Sequence, residues 1–213
     1  LTGRYAASEF WAAEEWFEVR VGRSTFSATH VQLDLDHEDS RLGARVQVQA
    51  NLTLSAHAPW PVTVGAPGVM GWFSFLPMME CYHGVLSMHG RVDGHVSRAV
   101  GGAPAAVHQL DGGVAYVEKD WGSVFPDTYV WLSCNHFAAV GQAVHGPSAT
   151  SLFLSVARIP HVANLPVAFT GFLAGFQHAG TLHRFATYTG AWYQINKKER
   201  KKKKRKKRKQ KQE

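Results

Sequence analysis

"RVQVQANLTLS", Arg45 to Ser55, alternates without a break: Val46, Val48, Ala50, Leu52 and Leu54 fall on one side, Gln47, Gln49, Asn51, Thr53 and Ser55 on the other. A period of two sends successive side chains to opposite faces of an extended chain, so this stretch reads as a half-buried antiparallel strand with one wet face. "HVQLDLD" repeats the pattern with Val31, Leu33 and Leu35, and "WFEVRVG" and "SLFLSVARI" add two more strands. "FTGFLAGF" followed by "LHRFATYTGA" reads as a hairpin turning near Ala179 and Gly180. Only "SEFWAAEEWF" has helical spacing, over a short length. The expected class is all-β, and many short strands divided by "APWP", "GAPG", "GGAP" and "DGG" turns point to a barrel or sandwich.

The net charge of +7 is misleading as a nucleic-acid signal. Residues 197–213 hold 13 of the 23 basic groups and 2 of the 16 acidic ones, a local net of +11 that leaves −4 on the remaining 196 residues. Such a run has no apolar face to bury and is expected to be disordered, with the composition of a translated adenine-rich repeat. It could attract phosphate or anionic lipid, but the acidic body argues against nucleic acid as the partner. No apolar run reaches the roughly 18 residues of a membrane span. The chain starts at Leu1 with no Met or signal peptide and is expected to be a fragment.

Chemistry concentrates in two stretches. In "YVEKDW", Tyr116, Glu118 and Asp120 share one strand face, while Val117, Lys119 and Trp121 share the other. Two carboxylates about 6 to 7 Å apart on one face disfavour each other's ionisation, which suits a general acid. Lys119 is the only lysine before the basic tail and is expected to be the counter-ion that keeps one neighbour ionised. In "MGWFSFLPMMECYHGVLSMHG", Glu80 and His83 sit in apolar, aromatic surroundings, where a carboxylate must be paired, hydrogen-bonded or protonated. Glu80 and Tyr82 are expected on one face, Cys81 and His83 on the other. The two C-x-H pairs, Cys81 with His83 and Cys134 with His136, would form a four-ligand site only if their strands adjoined. No C-x-x-C knuckle, nucleophile elbow or phosphate-cradling glycine motif occurs, and neither a metal nor a cofactor is expected.

Taken together, "MGWFSFLPMMECYHGVLSMHG", "YVEKDWGSVFPDTYVWLSCNHF", "SLFLSVARIP" and "FTGFLAGF...LHRFATYTGA", in this order, resemble the tocopherol cyclase-like family over about residues 10 to 191. Ser133 stands where that family usually has Gln before "xNHF". The resemblance implies two lipocalin-like antiparallel β barrels, the second incomplete here. The corresponding division is a first unit over residues 1–114, a second beginning over 115–196, and the tail over 197–213. It also implies an intramolecular lyase that adds a phenolic hydroxyl of a prenyl-quinol to its own alkene to form a chromanol. In plants this would be a plastid protein peripheral to membranes or lipid droplets; otherwise a cytoplasmic location is expected. Hydration of an isoprenoid alkene and lipophilic-ligand binding without turnover are the alternatives.

Ring closure of this kind needs a carboxylic acid to protonate the alkene, an acceptor for the phenol proton, and aromatic faces to steady a tertiary cation away from water. The candidate acids are Glu118, Asp120 and Glu80, with His83 as the proton acceptor. Tyr82, Trp121, Phe125 and Trp131 are candidate walls, with Lys119, Asn135 and His136 as further substrate-binding positions.

Overall fold

The computed structural model describes residues 5–76, 79–137, 149–159 and 169–194. The basic tail expected to be disordered lies outside them. Among the described residues there are twelve strands: β1 (Phe10–Ala12), β2 (Glu18–Val21), β3 (Ser24–Ser27), β4 (His30–Asp39), β5 (Ala44–Ser55), β6 (Cys81–Val100), β7 (Ala106–Gln109), β8 (Gly113–Gly122), β9 (Tyr129–Cys134), β10 (Ser151–Ile159), β11 (Phe169–His178) and β12 (Thr181–Ala186). The remaining regular structure of these residues is three short 3-10 turns, and among them no helix is long and apolar enough to cross a membrane.

The alternation in β5 is realised as read: Val46, Val48, Ala50 and Leu54 are buried, and Gln47, Gln49, Asn51 and Thr53 are exposed. The hairpin of β11 and β12 turns where expected, with Ala179 and Gly180 both at positive φ, as a two-residue hairpin turn requires. "SEFWAAEEWF" departs from expectation. Ala7–Glu9 is a single 3-10 turn, and Phe10–Ala12 then pairs with Val19–Val21. The stretch is too short to nucleate a helix against a strand partner that supplies backbone hydrogen bonds at once.

All pairings are antiparallel, in two sheets. The first runs β1-β2-β3-β4-β5-β6-β7, with β8 also on β6; the second runs β12-β11-β10-β9. Neither closes on itself among the described residues, so the lipocalin-like all-β class is present as open sheets rather than barrels. Strand β1, three residues long, offers few ladder bonds with which to complete a ring.

Strand β6 organises everything else. Its C-terminal half, Arg91–Val100, pairs with β5, while its N-terminal half, Cys81–Val92, pairs with β8. Residues 113–122, which span the expected division at 114, thus form one continuous strand against β6. Relative to β8, strand β6 carries one extra residue between Val85 and Ser87 and another between Ser87 and Gly90. Such bulges re-aim side chains: Val85 shares the face of Glu118, but Ser87 shares that of Val117.

The two sheets meet over an apolar core of Trp60, Val69, Met70, Met79, Val85, Met88 and Phe153. Trp60 stands edge-on to Phe153 at 6.5 Å between centroids. Gly175 of β11 is required there, because a Cβ would lie 2.4 Å from the Trp60 ring.

Candidate active site between the sheets

The pairing of β6 with β8 sets His83 directly opposite Asp120, and Val85 opposite Glu118. Their side chains project toward the second sheet. His83 Nδ1 is hydrogen-bonded to Asp120 Oδ1. On the other edge of the ring, His83 Nε2 is buried 3.7 Å from Glu118 Oε2, within ion-pairing reach but beyond a hydrogen bond. One imidazole therefore stands between two carboxylates. Its side chain is only 12% exposed, against 24% and 28% for Glu118 and Asp120.

Glu118 is held from its other side. Glu118 Oε2 accepts hydrogen bonds from Tyr116 Oη at 2.7 Å and from Trp131 Nε1 at 3.1 Å. Burial, reinforced by the adjoining Glu118 carboxylate, raises the Tyr116 phenol well above its ordinary range, so it remains a donor. The His83 ring lies flat on the fully buried Phe153, with centroids 5.0 Å apart and planes at 14°. The His83 backbone N–H donates to Met70 Sδ at 3.1 Å. Aromatic stacking and a constrained backbone thus fix the imidazole plane.

His83 and Asp120 open into a cavity of about 100 Å³ walled by Met70, Phe125, Trp131, Ile159 and Leu173. A contiguous pocket of about 60 Å³ shares Met70, Met79 and Leu173 with it and continues toward Phe73 and Phe169. Cys81 also lines the first cavity, but burial and then the Asp120 charge push its thiol upward, which suits a wall and not a nucleophile.

Of the residues singled out in the sequence, Glu118, Asp120, His83, Trp131 and Phe125 come together here. Glu80 does not. Its carbonyl accepts Ser123 N–H at 2.9 Å and Val124 N–H at 3.2 Å, which makes it a backbone anchor for the turn after β8. Gly122 is part of that anchor, since a Cβ there would sit 2.2 Å from the Glu80 oxygen. Lys119 projects from the opposite face of β8, its Nζ 5.0 Å from the Trp121 ring centroid. It makes no ion pair with Glu118 or Asp120; His83 occupies the place expected for that cation. Trp121 stacks on Tyr82 on the same outer face, 5.5 Å between centroids, so neither walls the acid cavity. Asn135 Nδ2 donates to the Ala115 carbonyl and Oδ1 lies 3.4 Å from His136 Nδ1, tying the chain after β9 to β8.

Sequence reading missed Phe153 and Met70, which set the imidazole plane, and left Tyr116 without a role. The signal for Tyr116 was its place two residues before Glu118 on a strand; for Phe153 there was none, because it comes from the other sheet.

The outer face of β8 borders a much larger cavity of about 680 Å³, bounded across from Val117, Lys119 and Trp121 by Ala13–Val19 and Ala28. A fourth, about 160 Å³, wraps the end of β8 and shares Trp121 with the large cavity and Asp120 and Phe125 with the acid cavity.

Among the described residues no three His, Cys, Asp or Glu side chains are arranged to hold a metal ion. The two C-x-H pairs begin on β6 and β9, strands of different sheets that do not pair. Comparison with curated proteins and with solved structures gave no match. Comparison with sequence families did: the family described as tocopherol cyclase-like matches residues 6–194. This span takes in both sheets and every residue of the cluster, and the chain belongs to the tocopherol cyclase-like family.

Proposed function

We propose that the chain closes a chroman ring on a prenyl-benzoquinol, adding the phenolic O–H across the proximal trisubstituted alkene. The observation that carries this reading is the hydrogen-bonded His83–Asp120 pair at the wall of an otherwise apolar and aromatic cavity. In this scheme Asp120 is the general acid. The proton shared between Asp120 Oδ1 and His83 Nδ1 moves to the less substituted alkene carbon, forming a C–H bond and leaving a tertiary cation. Phe125 and Trp131 present ring faces to that cation, and the apolar walls keep water from capturing it. The phenol oxygen closes on the cation, and its proton returns to the His83–Asp120 pair, so no net proton is consumed.

Glu118 acts one step back. With Oε2 already taking two hydrogen bonds and facing His83 Nε2, it orients the imidazole and does not meet the alkene. The test is incubation of the chain with a prenyl-benzoquinol, with chromatographic detection of the chroman. Turnover that Asp120→Asn lowers by about 10²- to 10⁴-fold supports the assignment, and turnover indifferent to it ends the general-acid role.

Binding of a lipophilic ligand without chemistry is the second reading, favoured by the size of the cavity on the far face of β8. Retention of quinol with no chroman would decide for it. A tertiary alcohol as product would instead mark alkene hydration.

A further inference from the structure

The cavity at His83 and Asp120 is about 100 Å³ and its extension about 60 Å³. Pockets that enclose an organic ligand run to roughly 300–1,000 Å³. The space on the outer face of β8, about 680 Å³, falls in that range. The three spaces adjoin in sequence around the end of β8: Trp121 borders the large cavity and the 160 Å³ one, and Asp120 borders the latter and the acid cavity.

We infer that the large cavity is the subsite for the hydrocarbon tail of the substrate, which reaches the acid by bending around the Trp121–Gly122 end of β8. This rests on the reading of the chain as a prenyl-quinol cyclase and adds where the non-reacting part of the substrate is held. Val117, Leu86 and Trp60 supply an apolar floor suited to a branched alkyl chain, and Trp121 supplies a flat ring at the bend. Glu14, Glu15 and Lys119 also line the cavity, as exposed groups. The carboxylate of Glu18, at the rim, is engaged by Arg20 at 2.7 Å and by Trp16 Nε1 at 3.2 Å, so it is turned to its own partners. Binding energy gained on a remote tail can then be spent on positioning the alkene at Asp120.

Two substitutions fill the cavity from opposite walls: Val117→Phe on β8 and Ala28→Phe on the exposed turn between β3 and β4. Each is assayed with quinols bearing a C20 tail and a single C5 unit. The expected result is a KM for the C20 quinol raised about tenfold or more, with kcat/KM for the C5 quinol held within about twofold, tenfold being 1.4 kcal/mol of binding. In parallel, a bromine-labelled C16 alcohol is titrated against tryptophan fluorescence, where both variants are expected to weaken binding about tenfold relative to the parent chain. Equal response of the two quinols, no binding of the bromoalcohol to the parent chain, or unchanged bromoalcohol affinity in both variants overturns the tail subsite. Absence of chroman from either quinol in the parent chain overturns the cyclase reading instead, and the bromoalcohol titration still decides the cavity.

Discussion

His83 on β6 and Asp120 on β8 are direct cross-strand partners, and their side chains are hydrogen-bonded through Nδ1 and Oδ1 although 37 residues separate them in the chain. The backbone ladder itself delivers this pair, so its geometry inherits the rigidity of the sheet.

His83 and Glu118 should respond differently to amide substitution. His83→Gln removes the proton relay and is expected to lower kcat by about 10² or more. Glu118→Gln keeps an acceptor for Tyr116 and Trp131, and a smaller loss with an altered pH–rate profile is expected. Steady-state kinetics across pH on both variants checks this, and identical profiles would contradict the positioning role.

Lys119→Met is expected to leave the acid chemistry intact. Its ammonium rests on Trp121, on the far side of β8 from the carboxylates. A kcat within about threefold of the parent would agree with a cation–π contact worth roughly 0.5–1 kcal/mol at an exposed site. Collapse of kcat would restore Lys119 as the counter-ion.

Stability should fall on the alkaline side. The Tyr116 phenol is raised from an ordinary value of 10.0, first by burial and then by Glu118. The folded state therefore holds that proton above pH 10 while the unfolded chain releases it, and the stabilisation present below 10 is lost as pH rises beyond it. Burial raises Tyr188 in the same direction. Denaturant melts of Tyr116→Phe should show a shallower alkaline decline than the parent; an equal slope would place the effect elsewhere.

Phe153→Ala is expected to cost about 3–5 kcal/mol, because the ring is fully buried beneath His83 and against Trp60. Gly122→Ala should cost at least about 1–3 kcal/mol, since it forces both a positive φ of 153° and a clash with the Glu80 carbonyl. Urea denaturation of each measures these losses. Near-neutral results would mean that the sheet junction or the turn relaxes freely.

Local rules carried the sequence reading far. Val46 to Leu54 gave the strand and its buried face, Ala179–Gly180 the hairpin, and "YVEKDW" the shared face of Tyr116, Glu118 and Asp120, all because strand parity is a local property. What stayed hidden depends on register between distant segments. Nothing near Asp120 in sequence names His83 as its partner, and two bulges in β6 shift the alignment that simple alternation would supply. Glu80 misled for a related reason: its carboxylate drew notice, whereas the turn after β8 uses its carbonyl. Phe10–Ala12 shows a strand partner overriding a brief helical spacing.

The bulges of β6 also set how the strand tolerates change. A substitution scan from Cys81 to Val92 should not show one alternating pattern of sensitivity. The phase of Cys81–Val85 should invert around Ser87, after the extra residue between Val85 and Ser87, and return from Gly90, after the one between Ser87 and Gly90. Deleting Leu86 would remove the first bulge alone and leave Gly90–Val92 out of phase with Cys81–Val85. The two bulges therefore have to be gained or lost together for both ends of the strand to keep their faces.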